Sequence, residues 1–216
     1  MTVQERLHDC GVVPVIQPPE RALAAEMGFA LVEAGLPCVE VTFRAAGAPD
    51  AIERMRAEVP ALLVGAGTVL TVAQGRSAID AGAQFLVSPG TGPDVVELAL
   101  REGIPIFPGV ATPTEIEANL ARGLEVMKLF PAEVLGGVRF LKAVYAPYRM
   151  VRFMPTGGVA PANLAEYLAQ PNVIACGGTW IAPPAVVAAG DFESMARLAR
   201  EAVAIVRSTR AEVASR

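Results

Sequence analysis

Three groups of residues in this sequence could do chemistry together. Lys128 stands in "LEVMKLFPAE" (124–133), inside an otherwise apolar run of strand character. Burying an ammonium is costly unless it is paired or neutralised. Desolvation favours a neutral amine, and a neutral amine can attack a ketone to form a Schiff base. The plain alternative is a lysine that snorkels from a strand edge or pairs with a carboxylate. The second group is "VEVTFR" (39–44), where Glu40, Thr42 and Arg44 alternate with Val39, Val41 and Phe43. Period-two spacing puts the polar three on one side of a strand. Taken alone they could form a local ion pair. The third group is two glycine doublets, in "MPTGGVAPANL" and "CGGTWIAPP". Backbone N–H groups at Gly157 and Gly158 can point at phosphate oxygens, helped by a following helix N-terminus. Thr179 could add a hydroxyl donor. Two tight glycine turns are the alternative.

Two further segments are weaker signals. "GAGTVLT" places small residues and Thr68 where a ligand could approach the backbone. "SPGTGP" makes a sharp turn at Ser88 and Pro89. Taken alone, each reads better as turn chemistry.

What positions these groups is a steady alternation of short apolar runs and amphipathic segments. Strands are expected near 12–16, 37–43, 61–65, 84–88, 104–107, 124–129, 150–154 and 173–177. Helices are expected at 20–34, 48–58, 71–81, 93–102, 113–122, 137–146, 161–169 and 191–207, with an extra one at 2–10. "TPTEIEANLARG" offers Thr112 as a cap, Pro113 in the first turn and Gly123 as a stop. "EAGLPC", "DAGAQF" and "REGIPI" each place a glycine between helix end and strand start, a structural repeat of roughly 20–25 residues. Eight strand–helix units in 216 residues predict an α/β fold, a TIM (β/α)₈ barrel with an extra N-terminal helix, as a single domain over 1–216. A doubly wound sheet is the rival, but no G-x-G-x-x-G follows the first strand. In such a barrel, chemistry sits at the C-terminal ends of the strands, where Lys128, Glu40 and the glycine doublets fall. The polar tail "RSTRAEVASR" is expected to fray.

Composition narrows the function classes. The chain is 53% hydrophobic, with a mean hydropathy of +0.43. Yet no apolar stretch reaches 18 residues uninterrupted, so no membrane span is expected. The polar, acid-bearing start "MTVQERLHDC" is unlike a secretory leader. A net charge of −4 with no basic run argues against nucleic acid and anionic membranes as partners. Three scattered cysteines, Cys10, Cys38 and Cys176, suit a reducing cytoplasm. The single histidine, His8, rules out a multi-histidine metal site. Trp180 and Cys176 read as packing residues, and Met127, Met150 and Met154 as core filler.

The set "VEVTFR", "VGAGTV", "SPG", "MKLFPAE", "PTGG" and "GGTW" resembles the 2-keto-3-deoxy-6-phosphogluconate (KDPG) and 2-keto-4-hydroxyglutarate (KHG) aldolase family. The order and spacing agree from about residue 11 to 205. "KLFPAE" together with "PTGG" carries the specificity. The resemblance implies a class I aldolase using no metal or other cofactor. It implies a homotrimer that cleaves phosphorylated KDPG to pyruvate and glyceraldehyde 3-phosphate. It places the Schiff-base lysine on Lys128 and the general acid/base on Glu40. The pyruvyl carboxylate falls to Arg44, with Thr68 and Pro89 nearby. The phosphate falls to Gly157, Gly158 and Thr179, the last commonly Ser in the family. Leu129, often aromatic, and "AAGAPD" after Arg44 depart from the pattern. The same chemistry on KHG or on the 6-phosphogalactonate epimer stays open. So do a phosphate-binding barrel isomerase using Glu40 as a simple base, and a non-catalytic metabolite-binding barrel.

Overall fold

The computed structural model describes residues 1–215; Arg216, the last position of the expected domain, lies outside the described residues. The apolar runs form strand segments β1 (Val12–Ile16), β2 (Cys38–Thr42), β3 (Leu63–Gly67), β4 (Phe85–Val87), β5 (Ile106–Phe107), β6 (Gly109–Val110), β7 (Val126–Leu129), β8 (Arg152–Pro155) and β9 (Cys176–Gly178). Every residue of β1, β2 and β3 is buried, the pattern of a parallel sheet covered on both faces. Helix α1 (Val3–Cys10) precedes the first strand. Helices α2 (Arg21–Glu33), α3 (Ala48–Glu58), α4 (Val72–Asp80), α5 (Pro93–Glu102), α6 (Pro113–Leu120), α7 (Val138–Tyr145) and α8 (Pro161–Leu168) follow in turn. α9 (Pro184–Ala188) and α10 (Phe192–Ala214) end the chain.

All pairings are parallel, in a six-strand run β5-β4-β3-β2-β1-β9 and a three-strand run β6-β7-β8. The two runs meet at both edges. On one side only Pro108 separates β5 from β6. Proline has no N–H to give, so it interrupts the ladder, but its carbonyl still accepts from Lys128 N at 2.9 Å. On the other side the bridges Phe153↔Val173 and Thr156↔Gly177 tie β8 and the residue after it to the β9 segment. With β5 and β6 as one kinked stave, eight staves close the (β/α)₈ ring.

Local signals set the boundaries. Thr112 caps α6 in a capping box with Glu115, and Pro113 occupies its first turn. Gly35, Gly82 and Gly103, the recurrent glycines, all take positive φ between helix and strand. Four expectations need correction. The fifth strand extends past Pro108 instead of stopping at 107. β2 ends at Thr42, so Arg44 lies in the following turn. Met150 is half exposed and fills no core, unlike Met127 and Met154. The tail does not fray at 207, because α10 continues to Ala214 and Arg210 anchors it. That guanidinium donates to the carbonyls of His8, Asp9 (2.9 Å) and Ile174 (3.3 Å), joining the last helix to the first. The short α9 has no counterpart among the expected helices. No helix among the described residues is long and apolar enough to cross a membrane.

Candidate active site

Strand register brings Lys128 and Glu40 together across the barrel. Lys128 is the third residue of β7 and Glu40 the third of β2. Lys128 Nζ lies 3.5 Å from Glu40 Oε1, and the residues are 4% and 0% exposed. The second carboxylate oxygen, Oε2, is buried with no hydrogen-bond partner. A buried acceptor without a donor is costly. Lys128 Nζ also sits 5.3 Å from the centroid of the Phe130 ring. So the lysine neither snorkels nor rests on apolar neighbours alone. It is held in a buried ion pair at the floor of a cavity.

The cavity holds about 180 Å³. Seven of the eight residues singled out from the sequence line it: Arg44, Thr68, Pro89, Lys128, Gly157, Gly158 and Thr179. The eighth, Glu40, is not in the wall and reaches the cavity through its contact with Lys128. Arg44 is exposed at the mouth, its Nε donating to Thr42 Oγ1 at 3.2 Å. Thr42 Oγ1 in turn donates to Ile16 O at 2.7 Å, so a buried hydroxyl fixes the arginine's root. Thr68 is the only non-glycine residue with positive φ among the described residues, at 56°. A β-branched side chain in that region is strained by about 1–3 kcal/mol and needs surrounding structure to hold it. The Pro89 turn rests against Gly109, the register neighbour of Lys128. A Cβ at Gly109 would overlap Pro89 O and lie 2.6 Å from Gly90 N.

Two glycines make room for polar groups. A Cβ at Gly67 would overlap Glu40 Oε1 and stand 2.5 Å from its Cγ. A Cβ at Gly177 would overlap Thr156 Oγ1. The second doublet is therefore not a turn like the first. It lies inside β9, with Gly177 in the cavity wall and Gly178 giving space to the Trp180 ring, whose Cη2 would be 2.5 Å from an added Cβ. Gly157 and Gly158 take φ of 95° and 84°, a true turn leading into α8. Sequence reasoning missed Val15, Phe130, Thr156 and Val159 as lining residues. Phe130 and Thr156 each lie beside a residue that was singled out. The apolar Val15 gave no chemical signal. Among the described residues no group of three or more His, Cys, Asp or Glu could hold a metal ion.

A buried lysine–carboxylate pair, an arginine and a glycine turn around one cavity are an arrangement that can receive an anionic carbonyl compound. The "KDPG and KHG aldolase" family model matches residues 3–198. The 2-dehydro-3-deoxy-phosphogluconate aldolase of Treponema pallidum (strain Nichols) is 48% identical over 206 residues, 95% of this chain and 98% of that one. The crystal structure of the KDPG aldolase of Zymomonas mobilis ZM4 with 3-phosphoglycerate superposes with a TM-score of 0.87 at 37% identity, covering 94% and 96% of the two chains. The KDPG aldolase of Legionella pneumophila, with pyruvate captured at low pH as a covalent carbinolamine intermediate, superposes at 0.88 and 34% identity, covering 93% and 97%. The chain belongs to the KDPG and KHG aldolase family, and it is an enzyme, a carbon–carbon lyase.

Proposed function

We propose that this protein cleaves KDPG to pyruvate and glyceraldehyde 3-phosphate by class I chemistry, with Lys128 as nucleophile and Glu40 as general acid/base. The observation that carries this is the 3.5 Å Lys128–Glu40 pair, buried at the floor of a cavity with Arg44 at its mouth. Arg44 offers a planar fork to the substrate carboxylate. That places the C2 ketone toward Lys128. The amine adds to C2, and loss of water from the carbinolamine gives the iminium. Glu40 takes the C4 hydroxyl proton while the C3–C4 electron pair moves into the iminium. Glyceraldehyde 3-phosphate leaves, and an enamine stays on Lys128. Protonation at C3 and hydrolysis release pyruvate and regenerate the amine. The unpartnered Glu40 Oε2 is the acceptor these proton transfers require. Acid/base help of this kind contributes about 10²–10⁴-fold.

Gly157, Gly158 and Thr179 would bind the phosphate, whose remote binding energy orients the reacting carbons. Thr179 keeps the hydroxyl of the usual Ser and adds a methyl. The carbinolamine captured in the Legionella relative supports the covalent route, and 3-phosphoglycerate in the Zymomonas relative supports a phosphate-bearing ligand. The family name covers KHG as well, and relative kcat/KM on KDPG, KHG and the 6-phosphogalactonate epimer separates the three. A homotrimer is part of the same reading, supported by exposed apolar side chains such as Val134, Leu70 and Phe29. A cytoplasmic location fits three free cysteines. The decisive experiment is borohydride reduction in the presence of pyruvate, followed by peptide mapping. A stable adduct on the Lys128 peptide is expected. Folded protein that gains no mass would overturn the class I route.

A further inference from the structure

Glu133 closes the "KLFPAE" segment, yet the chemistry above gives it no task. It stands against the Gly157–Gly158 turn. Its backbone N–H donates to Gly157 O at 3.1 Å, and Ala132 N donates to Thr156 O at 2.8 Å. Its side chain fills the space next to Gly158, where an added Cβ would overlap Glu133 Cγ and lie 2.6 Å from Cβ. The carboxylate then meets the Tyr167 hydroxyl, which donates to Oε1. Tyr167 is 1% exposed and lies in the last turn of α8, the helix that starts just after the glycine turn. A Cβ at Gly137 would sit 2.7 Å from Tyr167 Oη and 2.8 Å from Glu133 Oε1, so the pair occupies a fitted slot. From the helix side, Asn163 Nδ2 donates to Gly158 O at 3.1 Å. Turn, helix, Tyr167 and Glu133 make a closed ring, joined covalently on one side and by hydrogen bonds on the other.

We infer that the Tyr167–Glu133 pair is a positioning device that seats the Gly157–Gly158 turn for binding the substrate phosphate. The inference rests on the phosphate role proposed above for that turn. Burial first, then the Glu133 hydrogen bond, push the Tyr167 phenol well above its ordinary value, so it remains a donor at every working pH. The same contact holds the Glu133 carboxylate by its hydroxyl partner. A released carboxylate next to Gly158 would repel a phosphate and compete with it for the turn's N–H groups.

The test measures two affinities in wild type, Tyr167→Phe, Glu133→Ala and Glu133→Gln. One is the half-saturation for pyruvate in borohydride trapping at Lys128. The other is the inhibition constant of inorganic phosphate against KDPG cleavage. Tyr167→Phe and Glu133→Ala should each weaken phosphate about tenfold, the scale of a lost hydrogen bond to a charged group. Pyruvate half-saturation should stay within twofold. Glu133→Gln keeps an acceptor oxygen and should stay near wild type. Glu133 is exposed, so its variants test the idea even if Tyr167→Phe folds poorly. Equal losses in both affinities, or none in either, would overturn the positioning role. Wild-type protein that traps pyruvate but ignores phosphate would instead overturn the phosphate reading of the turn, and the inference with it.

Discussion

Gly67→Ala tests whether the position of Glu40, and not just its presence, drives the reaction. Gly67 ends β3 and pairs in register with Thr42, two residues from Glu40. It has no left-handed φ, so alanine meets no backbone objection there. The objection is steric. The new methyl would overlap Glu40 Oε1 and fall 2.5 and 2.6 Å from Cγ and Cδ, where ordinary contact begins at 3.4 Å. Glu40 Cγ must therefore retreat by about 0.9 Å, the difference between 3.4 and 2.5 Å. A displacement of about 1 Å in a catalytic group costs on the order of 10²-fold in rate. Overpacking a core position costs about 1–3 kcal/mol, which lowers Tm by roughly 2–12 °C in a domain of this size. The assay is pyruvate release coupled to lactate dehydrogenase, beside intact mass after long borohydride trapping and a thermal melt. We expect kcat to fall about 100-fold. The Lys128 adduct should still reach completion, because the nucleophile is untouched. A folded Gly67→Ala protein that keeps more than half of wild-type kcat would show that Glu40 placement does not limit the reaction.

Other outcomes follow from the same geometry. Lys128→Met should abolish the pyruvate adduct and leave Glu40 buried and unpaired, destabilising the fold by about 3–5 kcal/mol. Adding Glu40→Gln to Lys128→Met should recover part of that loss in chemical denaturation; no recovery would mean that the pair is not coupled. Arg44→Lys trades a bidentate fork for a point charge. It should raise the half-saturation for pyruvate about tenfold and leave Tm within error, whereas an unchanged value would take the carboxylate away from Arg44. Among the cysteines, Cys10 has its thiol shifted down, first by the neighbouring Cys38 thiol, and at 9% exposed it is the least enclosed of the three. Burial pushes the Cys38 and Cys176 thiols up. Iodoacetamide on native protein at pH near 8 should therefore label Cys10 first, read by peptide mass, and equal rates at Cys176 would contradict its burial.

The chemistry was more legible in the sequence than the staves that carry it. Lys128 betrays itself because a charged residue in a buried strand must have a partner or a task. Alternation in "VEVTFR" sets Glu40 apart from Val39 and Val41, and Glu40 is the β2 residue whose carboxylate meets Lys128. The alternation fails at Arg44, where the chain has already left the sheet and Thr42 Oγ1, not strand periodicity, holds the side chain. The fifth stave was read short because Pro108 stops a ladder in sequence terms. In space its carbonyl keeps the pairing with Lys128, and Gly109 and Val110 resume it. The five residues of α9 are too few for a periodic signal. The two glycine doublets look alike in sequence but do different work. One forms a positive-φ turn and the other admits Thr156 and the Trp180 ring, a difference set by neighbours remote in the chain.

Several costly features of this protein meet around one cavity. Lys128 and Glu40 both give up hydration, and an apolar pair of like volume would be as stable or more so. Glu40 Oε2 lacks a partner, and Thr68 holds a backbone conformation that threonine avoids. Elsewhere the helix starts at Thr2, Thr71 and Thr112 are capped, and β1 and β3 are apolar throughout. Strain, a buried charge pair and an orphan acceptor around one strand-end cavity are not explained by stability. Each of those costs would have a use in the imine chemistry proposed above. On the proposed route the pair would supply the amine and its proton partner, the orphan oxygen would accept the C4 proton, and Thr68 would stand beside the substrate carboxylate. On the proposed route, Lys128 is tolerated in its strand because it serves as a nucleophile where a stabilising residue could have been.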